Sequence, residues 1–196
     1  MKKLVPVVGA LLLILGSTNI SFAQVPSLVK VNLGVGGGLT APVGDFGDTH
    51  KVGYNVGAKL RVSGLLPIRL VGTAYYAKLD GEELTIDLPI FGPVMVTAED
   101  AKIFQVGAGL EYELVPAPIV KPYVGGDILY NNLDLGGGGD SRFGVGVGAG
   151  VEINLGGVLH LDLVGKYQAL NLFGKDSGEN TLSQASATAS LMFKLM

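Results

Sequence analysis

The sequence predicts an all-β chain folded as an eight-stranded, antiparallel, up-and-down transmembrane β-barrel. Three observations carry that expectation. Glycine supplies 31 of the 196 residues, well above its usual share of about 7%, and so much Gly disfavours helices on entropic grounds. Apolar residues recur with a period of two in eight separate segments, as strands with two unlike faces require. Connections between those segments alternate short and long, as in barrels with turns at one rim and loops at the other.

Residues 1–23 read as a cleaved export signal, leaving 24–196 as a single barrel domain. Lys2 and Lys3 form its positive start, Leu4 to Leu15 its apolar core, and Ser21-Phe22-Ala23 a small-residue cleavage site. The apolar run is interrupted by Pro6 and stops at Gly16, short of the roughly 20 residues a spanning helix needs. The formal charge of −3 becomes more negative once Lys2 and Lys3 leave, so there is no basic excess for gripping nucleic acid. Cysteine is absent, which excludes disulfides, thiolate metal sites and a Cys nucleophile.

The first strand covers 28–39, with Val29, Val31, Leu33, Val35 and Leu39 opposing Lys30, Asn32, Gly34, Gly36 and Gly38. Segments 54–62 and 104–114 repeat the pattern. It is cleanest over 143–154, where Phe143, Val145, Val147, Ala149, Val151 and Ile153 oppose Gly144, Gly146, Gly148, Gly150, Glu152 and Asn154. Segments 158–170 and 183–195 follow. Segment 68–79 has no clear phase, and 123–132 places Asp127 inward with Val124, Ile128 and Tyr130 outward. The connections 63–67, 115–120 and 155–157 are short, whereas 40–53, 80–102, 133–142 and 171–182 are long.

Both a soluble apolar core and a lipid-facing exterior produce such alternation. Three features select the lipid-facing exterior. The polar face is rich in Gly, Ser and Thr, suited to a narrow lumen. Strands of about ten residues match the hydrocarbon thickness at barrel tilt. Tyr54, Tyr76, Phe104, Tyr130, Phe143 and Tyr167 fall toward the long-loop ends, and Tyr112, Tyr123 and Phe193 toward the short-turn ends, as two interfacial girdles require. On this reading Val147→Arg is costly and its inward neighbour Gly146→Ser much less so.

The Val31-Asn32-Leu33-Gly34 strand followed by Pro42-Val43-Gly44-Asp45-Phe46, the Lys121-Pro122-Tyr123-Val124-Gly125-Gly126 segment and the Gly-alternating 143–150 stretch together resemble the small outer-membrane β-barrel family. That family includes the barrel domain of outer-membrane protein A and the adhesin-like protein X group. The resemblance covers essentially the whole chain after residue 23, and its motifs are architectural. It implies residence in the outer membrane of a diderm bacterium, with outer-membrane lipid and the barrel-assembly machinery as partners. The chain departs from the family in ending Phe193-Lys194-Leu195-Met196, where such barrels usually end on an aromatic residue.

With the N-terminus on the periplasmic side, Lys30, Lys59, Arg61 and Lys194 face inward near the periplasmic rim, as do Glu111, Glu113, Glu152 and Asp162. His160 joins them. Isolated charges in such a lumen are costly, whereas a balanced, hydrogen-bonded network is tolerable. A structural plug is therefore expected, with an ion path as the alternative, and Arg61→Ala would raise conductance by removing a lumen-filling chain. Inward glycines at 34, 36, 38, 57, 107, 109, 125, 144, 146, 148 and 150 leave space for long basic chains or for a ligand, and both remain open.

No catalytic, cofactor or metal residue is assigned. His160 and Asp162 share a face with Ser186 and Ser190, but no Gly-x-Ser-x-Gly elbow occurs. Asp45, Asp48 and His50 fit no defined metal spacing. The Gly-x-Gly runs lead into neither Gly-Lys-Ser/Thr nor a helix.

In the second long loop Leu84, Ile86, Leu88 and Ile90 alternate with Thr85, Asp87 and Pro89. Phe91-Gly92-Pro93 then turn, and Val94 and Val96 continue. This predicts a hairpin extending the barrel wall beyond the bilayer. Ile86, Leu88, Ile90, Phe91, Val94 and Val96 form a candidate binding loop for a surface or envelope protein; the other reading is a lid over the barrel mouth. The function expected is a non-enzymatic barrel with an envelope-structural or adhesin-like role. A narrow channel or small-ligand transporter is the alternative, and a lipid-modifying enzyme the third.

Overall fold

The computed structural model describes residues 29–88, 92–136, 138–175 and 178–195, so the segment read as an export signal lies outside the described residues. The strands are β1 (Lys30–Val43), β2 (Gly53–Ser63), β3 (Ile68–Leu79), β4 (Glu83–Leu88), β5 (Gly92–Thr97), β6 (Ala101–Glu113), β7 (Val120–Asp134), β8 (Gly139–Gly156), β9 (Leu159–Phe173) and β10 (Ser183–Lys194). Eight of them close one barrel in the order β1-β10-β9-β8-β7-β6-β3-β2, while β4 and β5 form a separate two-stranded sheet. Every barrel pairing is antiparallel, and β10 closes onto β1 from Asn32↔Lys194 to Val43↔Ser183. Closure leaves the barrel without an unpaired edge.

The faces are inverted relative to a water-soluble protein. Val35, Leu39, Ile128 and Val147 are each more than 60% exposed on the outer wall, while Lys59, Arg61 and Asp162 are buried inside. Over most of the wall outward apolar and inward polar residues alternate, which is the arrangement of a transmembrane barrel. The register also settles β3. Arg61 pairs with Val71 and Ser63 with Arg69, so Arg69, Val71, Thr73, Tyr75, Ala77 and Leu79 share the inner face with Arg61.

Several strands run further toward the long loops than their alternation suggests, β1 to Val43, β7 to Asp134 and β9 to Phe173. The reason is chemical. At that end the inward residues are themselves apolar: Ala77, Leu79, Ala101, Ile103, Leu133 and Leu170 form a buried cluster, which erases the polar/apolar contrast. Tyr167 consequently sits mid-strand, opposite Val147 and Ala185, and not at a loop end. Tyr123 is 2% exposed and points into the lumen, not outward in a girdle.

The hairpin of the second loop differs from its expected form in two ways. It does not continue the β3–β6 ladder, which ends at Leu79↔Ala101. Gly92 and Pro93 are also not turn residues, since they already pair with Leu88 and Asp87; the connection falls on 89–91, so Ile90 and Phe91 lie outside the described residues. The hairpin base is tied to the first long loop. The Glu82 amide donates to Thr49 O at 2.9 Å and the Lys51 amide to Asp80 O at 2.8 Å, and His50 bridges to Gly81.

Candidate functional site

The lumen is filled in three layers. Nearest the short turns is a charge network supplied by six strands. β2 contributes Lys59 and Arg61, β3 Arg69, β6 Glu111 and Glu113, β7 Tyr123, β8 Glu152 and β9 Asp162. Since β2 neighbours only β1 and β3 in the wall, its bonds to β6, β8 and β9 cross the lumen as braces.

Arg61 is the hub. Its Nε donates to Glu111 Oε2 at 2.7 Å, its Nη1 to Glu152 Oε2 at 2.5 Å and its Nη2 to Asp162 Oδ1 at 2.8 Å. Lys59 Nζ lies 2.6 Å from Glu111 Oε1 and 2.7 Å from Asp162 Oδ2. The Tyr123 hydroxyl donates to Asp162 Oδ1 at 2.9 Å, and its ring lies 5.0 Å from the Arg61 guanidinium carbon and 5.1 Å from Lys59 Nζ. Arg69 Nη1 donates to Glu152 Oε2 at 3.1 Å, and Arg69 also pairs with Glu113. Only Arg offers a planar fork able to serve three carboxylates on different strands at once. So complete a pairing is what allows these charges to be buried.

The remaining charges of the expected network lie apart. Lys30 and Lys194 are exposed at the short-turn mouth. His160 Nδ1 is 3.8 Å from Glu152 Oε1 and has no hydrogen-bond partner among the described residues. Three participants escape a reading of the sequence: Arg69, Tyr123 and Lys121, whose Nζ is 3.8 Å from Glu152 Oε1; inward Asp127 pairs with Lys166 deeper in the lumen. Period-two counting from inward Asp127 does place Tyr123 inside.

Beyond the Lys166–Asp127 pair, the second layer is neutral and polar. Gln105 Nε2 donates to Asn131 Oδ1 at 2.9 Å, Gln184 Nε2 to Gln168 Oε1 at 2.9 Å, and Asn55 Nδ2 to Thr40 Oγ1 at 2.9 Å. The third is the apolar cap. Gly44 adopts φ +65°, a conformation that Gly enters at little cost, and the short 3-10 turn Gly44–Phe46 brings Phe46 into the cluster with Leu79, Ile103, Leu133 and Leu170. The Phe46 ring packs on His50 with centroids 4.8 Å apart. The residue that caps the lumen thus comes from the first loop.

The inward glycines do not leave a ligand chamber. A Cβ on Gly150 would lie 2.5 Å from the Tyr123 ring, one on Gly146 2.2 Å from Asp127 Oδ1, and one on Gly34 2.2 Å from Met192 Sδ. Large inward neighbours occupy what the glycines give up. Two interior voids near Lys166 measure about 20 and 30 Å³, room for single waters.

The His160, Asp162 and Ser190 side chains have separate partners. Asp162 is held by Lys59, Arg61 and Tyr123, His160 faces Glu152, and Ser190 Oγ lies 3.4 Å from the Tyr75 hydroxyl. Among the described residues no group of three or more His, Asp or Glu side chains could hold a metal, the segment with Asp45, Asp48 and His50 included. At the hairpin base, Lys78 Nζ is 2.8 Å from Asp100 Oδ2 and the Gly81 amide donates to Asp100 Oδ1 at 3.3 Å. The ammonium, and next the amide, hold the Asp100 carboxyl below its ordinary value.

The sequence matches the model of the outer membrane protein β-barrel domain over residues 8–194. The crystal structure of Neisserial surface protein A is similar at a TM-score of 0.56 and 18% identity, covering 86% of this chain and 98% of that one. The outer membrane protein OprG from Pseudomonas aeruginosa is similar at 0.55 and 11%, covering 84% and 95%. A major outer membrane protein from Thermus thermophilus reaches 0.50 at 14%, covering 85% and 99%. These identities speak to fold alone. A search of curated proteins found no match.

Proposed function

The chain belongs to the outer membrane protein β-barrel domain family, and we propose that it is a non-enzymatic, sealed barrel that braces the envelope and presents its long loops at the surface. The observation that carries this reading is closure of the lumen at two levels. Arg61 and its carboxylates cross-brace one end, and the Phe46, Leu79, Ile103, Leu133 and Leu170 cluster fills the other. An ion crossing this barrel would have to break a buried network of charge pairs and then leave water altogether.

The short turns face the periplasm in this reading, following export on the signal at 1–23 and insertion by the barrel-assembly machinery. The β4–β5 hairpin then projects outward as a docking ribbon for a surface or envelope protein. The test is conductance of the purified barrel in planar bilayers, alongside membrane fractionation. Little or no steady current and recovery with outer membranes are expected. A large wild-type conductance would replace this reading with a channel.

A further inference from the structure

At the short-turn end the barrel opens into a chamber of about 690 Å³, outside the closed network. Four basic residues, Lys30, Arg69, Lys121 and Lys194, line it against two acidic ones, Glu113 and Glu152. Both carboxylates are engaged, Glu113 by Arg69 and Glu152 by Arg61, Arg69 and, at 3.8 Å, Lys121. Lys30 and Lys194 stand on the paired strands β1 and β10, are exposed, and take part in no ion pair among the described residues. A chain of net charge −3 thus concentrates uncompensated positive charge at one mouth. The buried Nδ1 of His160, without a hydrogen-bond partner among the described residues, borders the same space.

The rim of this chamber is apolar. Leu65 and Leu66, in the turn between β2 and β3, are 82% and 70% exposed and line the chamber together with Leu114. A turn meant only for water has no use for two adjacent exposed leucines. A cationic hollow beside an apolar lip suits an amphiphile: an anionic head in the chamber, with chains running over the leucines toward the lipid-facing wall. Resting on the periplasmic orientation proposed above, we infer that this mouth binds the phosphate headgroup of an anionic phospholipid from the adjoining leaflet. Lys30 and Lys194 take the phosphate through charge-assisted hydrogen bonds, and Leu65 and Leu66 take the first acyl segments. A free phosphate would use only the lysines; a zwitterionic lipid brings a cation into an already positive chamber.

The test is calorimetric titration of the purified barrel, in maltoside micelles, with dihexanoyl phosphatidylglycerol, dihexanoyl phosphatidylcholine and inorganic phosphate. Saturable phosphatidylglycerol binding is expected, about tenfold or more tighter than either comparison ligand and weakening with added salt. The Lys30→Gln/Lys194→Gln variant should weaken it by about tenfold or more, and Leu65→Ser/Leu66→Ser should weaken it while leaving phosphate binding unchanged. Both pairs lie outside the brace, so heat-modifiable gel mobility should be retained; Lys30→Arg/Lys194→Arg, which keeps the charge, should retain binding. Equal affinity for the two lipids, phosphate binding as tightly as phosphatidylglycerol, or wild-type affinity in the Gln variant would each overturn the inference. Conductance of the same preparation tests the sealed barrel separately.

Discussion

Arg61 and Asp162 meet across the lumen at 2.8 Å, although their strands, β2 and β9, are not neighbours in the barrel wall. Side chains therefore connect opposite walls that the backbone ladder does not join. Arg61→Ala would strand Glu111, Glu152 and Asp162 without their common partner. A loss of about 3–5 kcal/mol is expected, read from urea unfolding in lipid vesicles. Arg61→Lys should recover only part of it, because one ammonium cannot reproduce the fork that serves three carboxylates.

Conductance separates the two levels of closure. The sequence alone predicts that removing the Arg61 side chain raises the current, but the cap of Leu79, Ile103, Leu133 and Leu170 lies further along the same path. Arg61→Ala should therefore remain nearly silent in planar bilayers. Combining it with Leu79→Ala and Ile103→Ala should give measurable steps. Steps from the single variant would mean that the cap admits ions.

The barrel was legible wherever inward and outward residues differ in polarity, and became illegible where they do not. The stretch from Phe143 to Asn154 shows the wall directly because glycine faces valine at successive positions. β3 hides its phase because inward Val71, Ala77 and Leu79 are as apolar as outward Leu70 and Tyr76, and Arg69 is lost with it. A turn of known register would have recovered Arg69 from Arg61. The cap was unreadable for a different reason: Phe46 reaches it through the φ of Gly44, a tertiary docking that no periodicity encodes. Lys30 and Lys194 share the polar parity of the network but sit at its open mouth, and parity carries no depth.

Lipid exposure at strand β8 gives a sharp contrast. Val147 is 61% exposed on the outer wall, near the middle of Gly139–Gly156. Val147→Arg should cost about 2–4 kcal/mol in vesicle refolding. Gly146 is not the neutral control that its inward position suggests, since a Cβ there would lie 2.2 Å from Asp127 Oδ1 and displace the carboxylate from Lys166. Gly146→Ala should therefore destabilise the wild type more than an Asp127→Ala background. Additive effects in that double-mutant cycle would show that the two positions do not interact.

Asp100 gives the hairpin base a pH dependence. Its folded-state value is depressed by Lys78 and the Gly81 amide, so its contribution is present above the unfolded value, about 3.9, and is lost as pH falls through the lower folded value. Amide-exchange protection at Gly81, corrected for intrinsic rates, should hold steady from neutral pH down to the ordinary carboxylate range and decline only below it. In Asp100→Asn it should be weaker throughout. Loss of protection already near neutrality would assign the anchor to another group.

The hairpin itself provides the functional test. Its register pairs Leu84 with Val96 and Ile86 with Val94. The ribbon hydrogen-bonds as its own sheet. It joins the barrel side through the short ladder at Gly81, Glu82, Ala98 and Asp100, and Met95 is 77% exposed on it. Since the wall closes without these strands, replacing Ile86, Leu88, Ile90 and Phe91 with Ser should leave the urea midpoint and heat-modifiable mobility unchanged. If the ribbon exists for a partner, the same variant in nanodiscs should lose binding to an envelope protein fraction and to host-cell surfaces that the wild type retains. Destabilisation of the barrel with binding unchanged would instead assign these residues to a lid packed over the mouth, and the adhesive role would fall.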